Sequence, residues 1–519
     1  MSKNRNSRTQ NTVLNLISGV GGEILINIFS FATRTVFIQT LGKQYLGIGG
    51  LFTNILALLS LTDLGLGIAL NYRLYEPLKE KNVKRLQILM NFYKIMYRII
   101  GLVILLLGLC IIPFLPVFIK DYSTFEQLNL NAAVVFLCYL MQTVSTYWFF
   151  AYKSAIVKAD QKEYYLNVAG YIFTFISNII QIIVLIIWKS FLIYLLVIIG
   201  INIIQGLVNA KIADKYYPFL KEKCKDSIEK EEKREIFKDC GSISIFSISS
   251  EILKSTDNLV LSTFIGLGIV GLYSNYLMLY NMLKKIIKRL IRSAQASLGN
   301  LFASAEDKVR CEFFSVMNCF MLLMCGTASV CIAVLADEFI TVWIGNSYVI
   351  PMPFSVLIAM ELYTIGIKLI LEQMRDVMGL FQKVRWRPIA SMIINVILSI
   401  VLVQYWGIYG VLVGTLLSEW LTTFLIDPRM VYFHGFHNYN SVKNFYIKNG
   451  IYIIELFFIG MCNFWLLKNV FINHGWVSFI LHSIICALTT VAFLIICNLH
   501  DQAMRELLAR GIRIIKRRK

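Results

Sequence analysis

The sequence predicts an all-α integral membrane protein of about fourteen spans, arranged as two six-helix lobes related by a parallel repeat plus two C-terminal helices. Three observations lead there. Of 519 residues, 57% are hydrophobic and only 16% charged, with a mean hydropathy of +0.66; soluble chains carry charge nearer about 25%. Apolar runs long enough to cross about 30 Å of hydrocarbon recur from one end to the other. Basic residues crowd every second segment between those runs, as a membrane topology requires.

The first apolar segment, near 13–40, follows the polar, basic stretch Met1–Gln10. It is too long for the core of a cleaved signal peptide and lacks a small-residue cleavage site, so it reads as the first span. Further spans fall near 45–72, 88–119, 127–151, 164–188 and 191–217. A second set falls near 239–265, 269–300, 311–336, 353–379, 388–406 and 409–431, and two more near 450–470 and 476–498. With the N-terminus inside, about 41 of the 50 Lys and Arg lie in cytoplasmic segments or at their helix ends. About four (Lys43, Lys120, Lys189, Lys468) lie outside, and about five (Arg34, Lys94, Arg98, Lys254, Lys368) lie within helices. Misplacing one span destroys that bias, so both termini are expected in the cytoplasm.

The expected division is an N-terminal lobe 1–217, a cytoplasmic linker 218–238, a C-terminal lobe 239–432, two extra helices 433–498 and a tail 499–519. The linker, rich in Lys and Glu, reads as solvated. The tail from Arg505 places Leu507, Leu508, Ile512, Ile514 and Ile515 among basic residues, a pattern suited to anionic membrane lipid.

A net charge of +19 would point to nucleic acid in a soluble chain. Here it sits between apolar runs, and no helix-turn-helix, zinc knuckle or aromatic-basic platform accompanies it, so no nucleic acid is expected. The 11 cysteines form no C-x-x-C pair and lie mostly in apolar runs. The five histidines lack metal-ligand spacing. There is neither a phosphate-binding G-x-x-x-x-G-K-[ST] loop nor a G-x-S-x-G elbow. The outer loops are too short for a membrane polymerase's catalytic groups. A transporter is therefore expected rather than an enzyme, with no metal and no cofactor beyond a coupling proton or sodium ion.

The halves carry a repeat. Gly42 and Gly47 flank the turn into the second span, and Gly266 and Gly271 flank the turn into the eighth, at an offset of about 224 residues. Six helices separate the copies, an even number, so both run in the same sense. On the first span Glu23, Asn27, Ser30 and Arg34 share one helical face. The same offset brings up Ser247, Glu251, Lys254 and Asn258 on the seventh, with Asp257 beside them. Charges at membrane depth are costly, so these stripes should face a watery cavity or one another. They serve either as structural ion pairs, Glu251 with Lys254 and Lys254 with Asp257, or as a charged lining. Lys284, Lys288 and Arg292 form an inner patch on the eighth helix, read as an entry site for phosphate or as topological anchors. Glu361, Lys368 and Glu372 should pair along the tenth helix.

Two further sets of residues carry a family resemblance. Tyr45–Leu56 (YLGIGGLFTNIL), Leu59–Gly67 (LSLTDLGLG) and Leu74–Leu78 (LYEPL) are similar to the polysaccharide-export flippases of Gram-positive bacteria. So are Thr256–Ser262 (TDNLVLS), Gly271–Tyr276 (GLYSNY) and Ala296–Asn300 (ASLGN). These Wzx-like flippases belong to the multidrug/oligosaccharidyl-lipid/polysaccharide (MOP) exporter superfamily, and the resemblance runs from about Asn11 to about Tyr432. It implies a MATE/MurJ-like bundle in a bacterial cytoplasmic membrane and alternating access. It also implies undecaprenyl-pyrophosphate-linked oligosaccharide as substrate, and a polymerase and glycosyltransferases of the same pathway as partners.

A cationic central cavity is also implied. Arg34, Lys254 and Arg292 are its candidates for holding pyrophosphate, and Glu23, Asn27, Glu251, Asp257 and Asn258 are their polar partners. Asp63 and Glu361 are candidate coupling acids, and Tyr273, Asn275 and Tyr276 are candidates to meet sugars. The physical need is plain: pyrophosphate and sugar hydroxyls cannot cross hydrocarbon stripped of water. An arginine can hold phosphate bidentately, and a lysine acts as a point charge. The alternatives are a drug or cation antiporter, which needs an acid-dominated cavity, and a membrane polysaccharide polymerase.

Overall fold

The computed structural model describes residues 26–60, 66–149, 152–222, 226, 228–293, 306–437, 440–470 and 475–517. Among them there is no strand, and the chain is an all-α, multi-pass membrane protein. Nine of the described helices are long and apolar enough to span a bilayer on their own. The helices group into two compact units, 1–271 and 272–519.

In the first unit α1 occupies 26–41, followed by α2 (Lys43–Leu59), α3 (Leu66–Glu80) and α4 (Val83–Phe118). Next come α5 (Ala132–Trp148), α6 (Tyr152–Ala159), α7 (Glu163–Ile187), α8 (Phe191–Tyr216) and α9 (Lys230–Phe264). Caps mark where the spans enter. The Asn82 side chain accepts from the Arg85 N–H, and the Asn131 side chain from the N–H groups of Ala133 and Val134. Near the C-terminal end of α4, Pro113 sits in a 3-10 turn, Ile112–Phe114, and Pro116 starts the last helical turn. Inside the unit, Phe52 packs edge-on to Phe136 and Tyr139, while Phe37, Tyr45 and Tyr139 surround Phe191. Ile172, Ile183, Ile186 and Leu196 on α7 and α8 are exposed. A soluble protein would bury such a row; a lipid-facing span leaves it outside.

The segment expected as a solvated linker is not free. α9 begins at Lys230, well before the predicted span, because Glu232 pairs with both Arg73 of α3 and Arg85 of α4. Glu235 also meets Arg73, and Gln87 donates to Glu222. These contacts give the linker residues partners that water would otherwise supply.

The repeat has a direct structural signature. Gly42 and Gly266 both take positive φ, 92° and 130°, in the region where a Cβ is penalised. A Cβ on Gly47 would overlap the Leu267 carbonyl, and one on Gly271 would overlap the Lys43 carbonyl. The offset of about 224 residues relates Gly42 to Gly266, Lys43 to Leu267 and Gly47 to Gly271. In each copy the first glycine makes the turn and the second lets backbone touch backbone. The contact is reciprocal, as two copies about a local two-fold axis require.

The second unit contains most of α10 (Leu267–Ser293), then α11 (Asp307–Ile344), α12 (Phe354–Val377) and α13 (Arg387–Trp406). α14 (Ile408–Gly435), α15 (Asn440–Val470), α16 (Trp476–Asn498) and α17 (Gln502–Arg517) follow. α11 and α14 contain π-turns, at Leu322–Gly326 and at Trp420–Phe424 and Val431–Gly435. Pro428 explains part of the irregularity in α14. It has no N–H for the Phe424 carbonyl four residues back, and the Tyr446 hydroxyl donates to that carbonyl instead, at 3.0 Å. α13 and α14 form a tight antiparallel pair because Gly410 and Gly414 remove side chains where the backbones meet. α16 is tied to α11 by His482, whose Nδ1 lies 2.9 Å from Glu338, and the Cys331 and Cys486 sulfurs lie 3.9 Å apart.

Candidate translocation site

On α1, Asn27, Ser30 and Arg34 are half-buried. Thr33, beside them, donates to the Asn178 side chain of α7 at 3.1 Å, and Asn178 in turn reaches Ser30. Arg34 stands near enough to Tyr194 of α8 to interact electrostatically. One flank of the stripe therefore rests on α7 and α8. On α9, Lys254 is exposed and pairs with Glu251 at 2.9 Å, one of the two pairings expected. Asp257 and Asn258 are buried. The Asn258 Oδ1 and, one turn earlier, the Ser255 Oγ have no hydrogen-bond partner among the described residues. Buried polar atoms in that condition call for water or a polar ligand. Glu23 and Asp63 lie outside the described residues, as does the side chain of Arg292 on α10.

Two expectations are corrected. Tyr273, Asn275 and Tyr276, expected on an accessible lining, are all buried. Both tyrosine rings pack edge-on against Phe354, and the Tyr276 hydroxyl donates to Asp337 and accepts from the Ile350 N–H. Lys368 and Glu372 do not pair along their own helix. Lys368 reaches Glu419 of α14 at 2.6 Å, and Glu372 takes Arg387 of α13 at 3.4 Å. Acids on neighbouring helices offer these side chains better geometry than the turn of α12 does.

Those cross-helix pairs belong to a larger cluster. Glu361, Lys368, Glu372 and Arg375 lie at i, i+7, i+11 and i+14 on one face of α12. Glu361 accepts from the Tyr280 hydroxyl at 2.7 Å, and Lys284 sits 5.1 Å from the Tyr280 ring centre. Thr423 donates to Glu419 at 2.7 Å and accepts from Arg387 at 2.9 Å. Arg387 also bonds Asp427 at 2.7 Å, and Arg375 stands 3.6 Å from the same carboxylate while pairing with Asp376. The π-turn at Trp420–Phe424 lies between Glu419 and Asp427. Five carboxylates thus meet three cations on α12–α14. Of these, sequence reasoning singled out only Glu361, Lys368 and Glu372. The missed signal was Glu419 and Asp427, two acids inside an apolar run.

Beside this cluster, α11, α12 and α15 line an apolar hollow of about 740 Å³ that is open on one side. Val330, Val334, Met360, Ile454, Phe457 and Gly460 are among its walls. At one edge the Trp420 indole N–H is taken by Thr364 at 3.0 Å, so no polar group of that pair points into the space. Among the described residues, no three His, Cys, Asp or Glu side chains come together to hold a metal.

No protein-family model matches the chain, and no curated protein matches it. Solved structures do. The chain is similar to the lipid II flippase MurJ in an inward closed conformation, with 14% identity over 93% of this chain and 99% of that one and a TM-score of 0.65. It is similar to an inward-facing multidrug resistance MATE family transporter of the MOP superfamily, with 13% identity over 77% and 92% and a TM-score of 0.57. A third likeness is to the Vibrio cholerae MATE transporter VcmN, with 13% identity over 83% and 98% and a TM-score of 0.51. At such identities the likeness is one of fold, and the chain has a MATE/MurJ-like fold.

Proposed function

We propose that this chain is a flippase that moves undecaprenyl-pyrophosphate-linked oligosaccharide across a bacterial cytoplasmic membrane by alternating access, for the assembly of a cell-surface polysaccharide. The observation that carries the proposal is the apolar hollow on α15. α15 and α16 follow the expected second lobe, and the likeness to MurJ extends over 93% of this chain, against 77% for the inward-facing MATE transporter. A hollow of this size, in the range that buries small ligands, suits a stretch of polyprenyl chain. In this mechanism the tail stays in an apolar environment throughout. The pyrophosphate and sugars instead exchange water for fixed polar groups. Arg34 and Lys254 supply positive charge. Lys254 rests on Glu251 until phosphate replaces it, and the Asn258 oxygen, without a partner among the described residues, accepts from a donor.

One observation favours a cation antiporter instead: the acid excess in the α12–α14 cluster. In a flippase the same acids serve coupling, with Glu361 taking up a proton or sodium ion while pyrophosphate binds elsewhere. Filling the hollow separates the two. A Cβ on Gly460 meets nothing within 4 Å, so Gly460→Phe should fold normally. It is expected to lower movement of long-chain polyprenyl substrates at least about tenfold, a loss of roughly 1.4 kcal/mol in binding. Unimpaired transport by a folded Gly460→Phe protein would remove the hollow from the substrate path.

A further inference from the structure

The last helix, α17, is held against α11 and α15 over its first half and exposed on one face. Asp501 caps it, accepting the Ala503 N–H at 3.0 Å. The same carboxylate pairs with Lys448 and receives the Tyr452 hydroxyl of α15 at 3.4 Å and the Cys319 thiol of α11 at 3.5 Å. Burial alone would raise the Asp501 carboxyl, but the Lys448 ammonium outweighs it and holds the group below its usual range. A depressed folded value means the cap's contribution is present above the ordinary aspartate range and is lost only as pH falls through the folded one. Ala503 and Met504 are buried, and Arg510 lies over the Phe313 ring of α11 while bonding Glu506.

Beyond this anchor the helix presents an uncovered face. Ile512 is 55% exposed at the edge of the apolar arc, and Arg505 and Arg513 are exposed beside it. The sequence of Gln502–Arg517 carries five Lys and Arg against one acid, Glu506. The three residues joining α16 to α17 reach at most roughly 11 Å, so α17 cannot leave the headgroup layer at the end of that span.

We propose that α17 is a docking surface for anionic phospholipid. Arg505 and Arg513 meet headgroup phosphates, and Ile512 enters the acyl boundary. Because Asp501 joins α17 to both α11 and α15, leaflet charge is thereby coupled to the inner ends of the helices that wall the apolar hollow. The occupant follows from charge complementarity together with an isoleucine left more than half exposed.

The test is amide hydrogen exchange on the full-length protein in nanodiscs of phosphatidylcholine, with or without phosphatidylglycerol. Exchange across Leu508–Arg513 should slow about tenfold in the anionic discs, and the difference should vanish at high salt. It should also vanish in R505Q/R513Q, whose altered side chains are both exposed. Equal exchange in the two lipids would overturn the proposal. So would equal protection by inorganic phosphate in phosphatidylcholine discs, which would make this a free-anion site.

Discussion

Asp427→Ala is expected to cost about 3–5 kcal/mol of stability, the usual result of removing one partner from a buried ion pair. The carboxylate is fully buried and shared by two guanidiniums, Arg387 at 2.7 Å and Arg375 at 3.6 Å. Without it, Arg375 keeps Asp376, and Arg387 keeps Thr423 and a longer contact to Glu372. Those survivors place the expected loss toward the lower end. Asp427→Asn should cost less, because its amide oxygen still accepts from Arg387. A control comes from Lys84, which pairs with Asp226 with both side chains largely exposed. Lys84→Ala should change stability by no more than about 1 kcal/mol. Unfolding in detergent, by heat or denaturant, ranks the three. A Lys84→Ala loss as large as that of Asp427→Ala would show that burial does not set the strength of these pairs.

Gly47→Ala and Gly271→Ala should each destabilise by about 1–3 kcal/mol, as forced overpacking does. In each case the new methyl meets backbone, the Leu267 or the Lys43 carbonyl, and backbone cannot swing aside as a long side chain can. The reciprocity gives a sharper expectation. Once one methyl has pushed the two turns apart, room exists for the other, so the double variant should cost clearly less than the sum of the singles. Gly460→Ala, which enters open space, should cost little. Strict additivity of Gly47→Ala and Gly271→Ala would mean that the two glycines do not share one crossing.

Much of this architecture was legible in the chain itself. Spans such as 191–217 and 476–498 fall within a residue or so of α8 and α16. Their ends are marked by abrupt changes in polarity, and hydrocarbon thickness fixes their length. The paired glycines were legible too, because turn and close-approach positions exclude other residues. Where α9 begins was not. Its first turns are polar, and only the partners Arg73 and Arg85, far away in sequence, make them helical and ordered. The candidate site was legible in part. The i, i+3 spacing revealed Glu251 with Lys254. Which acid a lysine on α12 would choose depended on how α12 packs against α14, and no local pattern reports that. Tyr273 and Tyr276 misled for a related reason: an aromatic face looks the same in sequence whether it meets a sugar or Phe354.

The proposed activity can be measured most directly with purified protein in liposomes carrying a labelled polyprenyl-pyrophosphate-linked oligosaccharide. An added glycosidase reports how much of the sugar reaches the other leaflet. The flippase proposal predicts that the protein speeds this transfer, and that Arg34→Ala and Lys254→Ala slow it. Exchange of a cationic dye for protons by the same liposomes, with the oligosaccharide staying in its original leaflet, would contradict it.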